Sequence, residues 1–487
     1  MSKEARVGSI PKTCRLKIAK RTRRRIKRAR RRQRQAKRRL QTRIPRTAQP
    51  LLYSLATAFT RPTFQRFVIL TFAAILTIGR QTILNQLRSV QALAPGHSSS
   101  YHRVFSKRRW SNWDLARALI NFILKHWVPE GPVNLAGDDT VAEHRGKKVY
   151  GKACHRDAVR SSQSFTAYRY GHKWAVLAIL VKFPFATRPW ALPVLVALYH
   201  SKEWDRQQGR RHKTPSELMQ QLLAVLVHWF PDRRFVFAGD GGYGTHELSR
   251  FAVRRGERLQ LVSRFYADAN LYAPPSVASK KKGRPRMKGE KLPTPAKVVE
   301  RAQRQRLNVA WYGGGRRNVE IVSGTGHWYK AGHGLVPVFW AFVHDCTGTH
   351  RDDYFFTTDP TMAAKNLIET FTGRWSIETT FQEMRAYLKL ESTRGRTEKT
   401  VLRAAPCLFG LFSVIALWYA QLPPRCKCRH AIDWRGKTET TFSDAITAVR
   451  RWLWTEWVFE TPGHQRAFSK IPRPFQAVLM YALAPAA

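Results

Sequence analysis

Three apolar runs of strand length constrain the fold of this chain most. They occupy 174–183 (WAVLAILVKF), 190–199 (WALPVLVALY) and 234–239 (RFVFAG), and they are rich in β-branched and aromatic residues. Between the second and third runs, residues 214–217 (TPSE) have the pattern of a capping box with proline at the first helical position, which predicts an amphipathic helix. Strands followed by alternating helices and strands indicate an α/β core with a mixed sheet.

The rest of the sequence divides into regions of different composition and periodicity. The first region is Arg-rich and nearly without large apolar residues, so we expect a basic arm that is disordered alone and orders on nucleic acid. The second has helical periodicity, which predicts an all-helical domain. We expect this domain to bind DNA, but the sequence leaves open whether its Lys and Arg face DNA or water. The predicted regions are the arm (1–46), the helical domain (47–130), the α/β core (131–266 and 361–422), a β-rich insertion (267–360) and a C-terminal region (423–487).

The charge balance indicates a polyanionic partner. The chain has 86 Lys and Arg against 32 Asp and Glu, a formal net charge of +54 and a pI near 11.1. Residues 1–46 hold 21 of these basic residues and one acid, so the remaining chain still carries +34. Because the excess is spread through the folded part, DNA or RNA is the expected partner.

Cysteine usage and hydropathy indicate an intracellular protein. The six cysteines are scattered and no secretory signal precedes them, which is typical of a reducing compartment. The apolar run at 67–79 is shorter than the ~20 residues that a membrane-spanning helix needs, so we expect a buried helix there and no membrane association. The expected location is the cytoplasm, in association with the nucleoid.

A second constraint lies at 371–385 (FTGRWSIETTFQEMR). Phe371, Arg374, Glu378 and Arg385 follow one another at spacings of three, four and seven residues, which places them on one side of a helix with about 3.6 residues per turn. A simple interpretation is an i,i+4 ion pair between Arg374 and Glu378 on a solvated helix. The acids upstream favour a functional interpretation.

Three acids occupy comparable positions in this predicted core. Asp138 ends the first strand, Asp240 ends the strand at 234–239, and Glu378 lies on the later helix. Each alone could be a turn or cap residue. Together they can converge at the carboxyl edge of a sheet, where close carboxylates stay ionised only beside cations. Two Mg²⁺ ions, with Mn²⁺ as a substitute, suit such a cluster and cleave phosphodiesters.

The pattern of these residues resembles the large bacterial DDE transposases of insertion sequences. The resemblance covers roughly residues 50–420 and rests on Asp138-x-Thr140, on Asp240 after an apolar strand, and on F-x2-R-x3-E-x6-R at 371–385. The family's signature helix has the pattern Y-x2-R-x3-E-x6-K, so Phe371 and Arg385 depart from it in identity but not in spacing. The resemblance implies a ribonuclease-H-like mixed sheet flanked by helices.

The resemblance also implies roles for individual residues. Asp138, Asp240 and Glu378 would bind the metal ions, with Asp139 as the alternate to Asp138, although strand alternation puts Asp139 on the opposite face. Arg374 and Arg385 would contact DNA phosphates. Phe371 would contact DNA in the place of the family's tyrosine, without that tyrosine's hydroxyl.

The basic loop at 279–291 (SKKKGRPRMKGEK) offers a further DNA contact. Arg284 and Arg286 could enter a minor groove, whose narrow floor attracts arginine, or the loop could simply be solvated.

The function expected from these features is DNA transposition. The enzyme would cleave element ends at terminal inverted repeats and join the 3′-hydroxyl to target DNA, as a homodimer because two ends must be brought together. Two alternatives stay open from sequence: a ribonuclease-H-like nuclease without strand transfer, and a non-catalytic, domesticated DNA-binding protein.

Overall fold

A computed structural model describes residues 44–157, 161–162, 164–275, 287–427, 439–460 and 462–485. The basic arm therefore lies outside the described residues, except for its last three. The helices are α1 (Gln49–Leu55), α2 (Arg61–Leu76), α3 (Ile83–Val90), α4 (Ser99–Ser106), α5 (Asn112–His126), α6 (Lys202–Gln207), α7 (Pro215–Trp229), α8 (His246–Val253), α9 (Pro295–Arg301), α10 (Ala364–Gly373), α11 (Ser376–Tyr387), α12 (Glu398–Gln421), α13 (Phe442–Leu453), α14 (Pro462–Ser469) and α15 (Arg473–Leu483).

Eleven strands form one continuous sheet in the described part of the chain. They are β1 (Val133–Glu143), β2 (Ala153–Arg156), β3 (Tyr168–Val181), β4 (Trp190–Tyr199), β5 (Phe235–Gly239), β6 (Leu259–Arg264), β7 (Leu271–Tyr272), β8 (Gln305–Ala310), β9 (Arg316–Lys330), β10 (Gly334–Asp345) and β11 (Asp353–Thr357).

The first half of this sheet has the topology of ribonuclease H. The spatial order is β4-β3-β1-β5-β6, in which β3 is antiparallel to both β1 and β4, while β1, β5 and β6 run parallel. Helices pack on this sheet, among them α7 on β3 and β4 and α11 on β1 and β4. The predicted fold class, a ribonuclease-H-like mixed sheet flanked by helices, is confirmed.

The strands after residue 300 extend this sheet. β11 pairs antiparallel with β6, β10 pairs with β11, and β9 pairs with β10, β8 and β7. The β-rich segment that the sequence predicts is therefore continuous with the core sheet through the β6–β11 pair.

The N-terminal helices share a core with the C-terminal helices. Buried residues of α1, α2 and α5 belong to the same hydrophobic cluster as those of the sheet, α12 and α13. The buried Arg450 of α13 donates from Nε to the carbonyl oxygen of Ile75 at 2.7 Å. The apolar run at 67–79 contributes most of its residues to the buried helix α2, as predicted.

The helix α12 is apolar and covers β4. Among the described residues it is the one helix long and apolar enough to cross a membrane, but most of its apolar stretch is buried against the sheet. The hydroxyl of Ser413 on this helix donates to the carbonyl oxygen of Pro193 in β4 at 2.8 Å. Pro193 is tolerated because β4 pairs with β3 on one side and a bulge interrupts that pairing beside it.

Candidate active site

Two neighbouring parallel strands each deliver an aspartate at the same level. The register of β1 and β5 pairs Gly137 with Gly239, and their parallel pairing ends there. Asp138 and Asp240 are the next residues on each strand, so the topology itself brings them together. The prediction that Asp138 ends the first strand is wrong, since β1 continues to Glu143 along its antiparallel partner β3.

The two glycines before these aspartates leave no room for a side chain. A Cβ atom at Gly137 would lie 2.3 Å from the ring of Phe237, and one at Gly239 would lie 2.6 Å from the Cβ of Tyr243. Contacts this short require movement of a ring or of the chain. Close packing under the sheet edge therefore accounts for the Gly-Asp sequence on both strands.

Between α10 and α11 the backbone keeps helical dihedrals at Arg374 and Trp375, but its hydrogen bonding tightens. The backbone N–H of Arg374 bonds to the carbonyl oxygen of Phe371 at 3.2 Å, and that of Glu378 bonds to Trp375 at 3.0 Å, both in the three-residue spacing of a 3₁₀-helix. The single continuous helix predicted over 371–385 is thus interrupted. Phe371 packs into the core from α10, while Arg374 and Glu378 lie at the ends of β1 and β5.

Arg374 contacts all three of the predicted acidic residues. Its Nη1 lies 3.3 Å from Oδ2 of Asp138, and its Nη2 lies 3.0 Å from Oε1 of Glu378 and 3.9 Å from Oδ1 of Asp240. Oδ1 of Asp240 and Oε1 of Glu378 both contact the same nitrogen, Nη2 of Arg374, so these two carboxylates lie close to each other. The predicted i,i+4 pair between Arg374 and Glu378 is present, but it is one contact of a guanidinium that three carboxylates share.

Asp138 has an unusual electrostatic environment. Burial raises the pKa of Asp138 to about 7, assisted by the nearby charges of Asp139 and Asp240 and opposed by the Arg374 guanidinium. The backbone N–H of Asp139 donates to Oδ1 of Asp138 at 2.7 Å, which favours the ionised form. A buried carboxyl group with close acidic neighbours is the situation in which a further cation has the largest effect.

Asp139 is directed elsewhere. Its Oδ2 lies 3.1 Å from Nζ of Lys173 on the neighbouring strand β3. This agrees with the alternation of side chains along β1, which places Asp138 and Asp139 on opposite faces of the sheet. Of the two candidates for the first acid, Asp138 is the one that joins Asp240 and Glu378 around Arg374.

Arg385 connects α11 to the strand that carries Asp138. Its Nη2 donates to the hydroxyl of Thr140 and, at 3.4 Å, to the carbonyl oxygen of Val141. Its Nε lies 3.6 Å from Oε1 of Glu391. The phosphate contact predicted for Arg385 stays a prediction, but these protein contacts already give the side chain a structural part in fixing Glu378 beside β1.

Three further predicted DNA contacts have different outcomes. Phe371 is fully buried and stacks on Phe355 with ring centroids 4.3 Å apart. Its predicted contact with DNA is therefore wrong, because Phe371 belongs to the apolar side of α10 that faces the core. Arg284 and Arg286 lie outside the described residues.

Tyr243 was missed by the reasoning from sequence. The ring is buried and its hydroxyl has no hydrogen-bond partner among the described residues. Burial raises the pKa of Tyr243 well above its usual range, and the charges of Asp139, Asp138 and Asp240 add to this effect. The one available signal was its position three residues after Asp240 in the turn Asp-Gly-Gly-Tyr.

The donor types of this cluster fit a hard divalent cation. Three carboxylates supply the oxygen ligands that Mg²⁺ prefers. In the conformation described, no group of three or more His, Cys, Asp or Glu side chains within the described residues is spaced to hold a metal ion. The guanidinium of Arg374 lies between the carboxylates and supplies the positive charge, so metal binding requires it to move away from at least one of them.

The first two acids fall within a match to a known family. The model of the DDE superfamily endonucleases matches residues 54–318, more than half of the chain. This protein belongs to the DDE superfamily endonucleases. The match includes Asp138 and Asp240 and ends before Glu378.

Two other comparisons give less. A piggyBac transposase synaptic complex with hairpin DNA, solved by cryo-EM, is similar at 10% identity and a TM-score of 0.35, over 87% of this chain and 78% of the other. No similarity to a curated protein was found.

Proposed function

We propose that this DDE endonuclease is a transposase of the bacterial insertion-sequence type. It cleaves DNA at the terminal inverted repeats of its element and joins the freed 3′-hydroxyl to target DNA. The observation that supports this most is the contact of one guanidinium, that of Arg374, with Asp138, Asp240 and Glu378. These residues are 102 and 138 positions apart in sequence, so their convergence is a property of the fold.

In this proposal the three carboxylates hold divalent ions, Mg²⁺ or Mn²⁺. When bound, two such ions activate the attacking oxygen and stabilise the leaving oxygen of the phosphodiester. Arg374 balances the carboxylate charges until the ions bind. Arg385 and Thr140 fix the orientation of α11, so that Glu378 stays beside β1.

The partners and location follow from the same proposal. Element ends and target DNA bind to a surface with a formal charge of +54 for the whole chain. A homodimer brings two ends together, and the complex works in the cytoplasm at the nucleoid.

The test uses Asp240→Asn and Glu378→Gln, with Glu383→Gln as the matched control on the same helix α11. We expect both site variants to lose Mg²⁺-dependent cleavage of a plasmid that carries the inverted repeats flanking this gene. Even residues that only support a metal ligand cost about 10–100-fold when changed, so the loss should exceed that. DNA binding and the activity of Glu383→Gln should be retained. Undiminished cleavage by either site variant would remove that residue from the mechanism.

A second assay separates transposition from hydrolysis alone. Pre-cut ends with a free 3′-hydroxyl are supplied together with a target plasmid, and joined products are measured. Joining supports the transposase. Cleavage without joining would leave a ribonuclease-H-like nuclease, and DNA binding without either reaction would leave a non-catalytic DNA-binding protein.

A further inference from the structure

Three exposed aromatic residues follow one another closely in sequence at the β2–β3 hairpin. Phe165, Tyr168 and Tyr170 are 66%, 65% and 62% exposed, the highest values among the large hydrophobic side chains in the described part of the chain. Tyr168 and Tyr170 are two positions apart on β3, so they point to the same face of the sheet. We call these three side chains the aromatic platform.

The platform is on the same face of the sheet as the first catalytic aspartate. In the register of β1 and β3, Asp138 is opposite Val176, and residues directly opposite each other share a face. Alternation along β3 then places Tyr170, six residues before Val176, on that face as well. At 3.2–3.4 Å per residue the separation along β3 is about 20 Å, and the intervening His172 and Trp174 on this face are buried.

The charges around the platform favour an anionic partner. Arg156 is directly opposite Tyr168 in the hairpin and is exposed. Nζ of Lys152 lies over the ring of Tyr170, 5.7 Å from its centroid. The described residues within 143–170 include six Lys and Arg against two acids, and both acids have basic partners. A second copy of this chain would bring the same positive surface and is disfavoured by repulsion.

We propose that the aromatic platform binds unpaired bases of a DNA strand by stacking, while Lys152 and Arg156 contact its phosphates. The proposal rests on the function proposed above, since it places this strand at the same face as the carboxylates. Exposed tyrosine and phenylalanine rings stack on any base, but the faces of bases inside a duplex are covered by their neighbours. The platform therefore distinguishes single-stranded from double-stranded DNA.

The experiment compares Tyr168→Ala/Tyr170→Ala with Phe475→Ala/Tyr481→Ala, a matched control that removes two exposed rings from α15. Fluorescence anisotropy measures binding of a labelled oligothymidine and of a labelled duplex of equal length. EDTA is present and all proteins carry Asp240→Asn, so no cleavage takes place. Loss of stacking should weaken oligothymidine binding about tenfold or more. Duplex binding by this variant, and both affinities of the control, should change less than about twofold.

Two further variants make the result specific. Tyr168→Phe/Tyr170→Phe keeps the rings and should keep the affinity for oligothymidine, which a need for the hydroxyls would not allow. Arg156→Ala should weaken single-stranded and duplex binding alike and lower the slope of log affinity against log salt by about one.

Three outcomes would overturn the platform. The first is unchanged oligothymidine binding by Tyr168→Ala/Tyr170→Ala, and the second is an equal loss of affinity for oligothymidine and duplex. The third is a change of that variant from dimer to monomer in analytical ultracentrifugation, which would indicate that the rings contact a second protein chain. Because EDTA removes the metal ions and Asp240→Asn alters the proposed active site, the result does not depend on whether the proposed cleavage reaction is found.

Discussion

Asp138 and Asp345 are both largely buried and both contact an arginine, but their surroundings differ. Asp345, at the end of β10, has a side chain only 1% exposed and accepts hydrogen bonds from Arg317 at 2.8 Å and from the hydroxyls of Thr347 and Thr349. Burial alone would raise the pKa of Asp345, but hydrogen bonds from Thr347, Thr349 and Arg317 hold it well below its usual range.

Asp138 receives far fewer donors. One backbone N–H and the shared guanidinium of Arg374 face it, and its pKa is raised to about 7. The comparison teaches that burial and an arginine partner do not identify a functional carboxylate. What distinguishes Asp138 is that hydrogen bonds do not fully compensate the charge of its carboxylate. An added cation can therefore stabilise the ionised form.

The largest expected effect is on stability, at the structural aspartate. Asp345→Ala leaves Arg317 and two threonine hydroxyls without their acceptor, so we expect the free energy of unfolding to fall by about 2–4 kcal/mol. Asp138→Asn should change it by less than about 1 kcal/mol, because few donors lose a partner there. Chemical denaturation at neutral pH measures both. Similar losses of unfolding free energy for the two variants would contradict the proposed difference in hydrogen bonding between Asp345 and Asp138.

A smaller effect concerns the pH dependence of stability. Burial raises the pKa of Glu383 to about 7, against the attraction of Arg188 and a backbone hydrogen bond from Phe442. Because the folded protein keeps this proton after the unfolded chain has lost it, the stabilisation is present at low pH and is lost as pH rises towards 7.

Glu383→Gln removes this dependence. The stability of the variant relative to the unchanged protein should rise from about pH 5 to about pH 7, by on the order of 1 kcal/mol per pH unit. Urea denaturation at several pH values measures it. A relative stability that stays constant over this range would show that the proton on Glu383 is not linked to folding. Asp345, whose pKa is lowered, stabilises above its usual pKa and loses this effect only in acid.

The smallest expected effect concerns the competition between Arg374 and metal ions. Arg374→Gln leaves the three carboxylates without their guanidinium, so the variant should be less stable than the unchanged protein when EDTA is present. Mg²⁺ should then restore about 1.4 kcal/mol at roughly tenfold its dissociation constant, and this stabilisation should begin at a lower Mg²⁺ concentration than in the unchanged protein. Thermal unfolding over a Mg²⁺ series measures this. Identical Mg²⁺ responses would show that the guanidinium and the ions do not compete.

The positions of the acids could be predicted from sequence because each rests on local pattern. An apolar strand followed by Gly-Asp identifies Asp138 and Asp240, and the spacing from Arg374 identifies Glu378. The ribonuclease-H-like topology agrees with the order of strands and helices along the chain. The end of β1 was misjudged because Asp-Asp-Thr has the composition of a turn, while pairing with β3 keeps it extended to Glu143.

The environment of the acids could not be predicted in the same way. The spacing of three correctly places Arg374 beside Phe371, since the guanidinium lies over that ring, but it does not tell that the ring is buried in the core. Two of the three contacts of Arg374, those with Asp138 and Asp240, join residues more than 100 positions apart, which no local pattern encodes. The hydroxyl of Tyr243 likewise acquires its surroundings only when β1 and β5 lie side by side.

The most direct test of the site formed by Asp138, Asp240 and Glu378 is to count the metal ions that the protein binds. Electron paramagnetic resonance of free Mn²⁺ gives the number of ions that the protein binds, with Asp240→Asn and Asp345→Asn compared at equal concentration. We predict that the unchanged protein and Asp345→Asn bind Mn²⁺ and that Asp240→Asn loses this binding. Undiminished Mn²⁺ binding by Asp240→Asn would contradict the assignment of Asp138, Asp240 and Glu378 as the metal site.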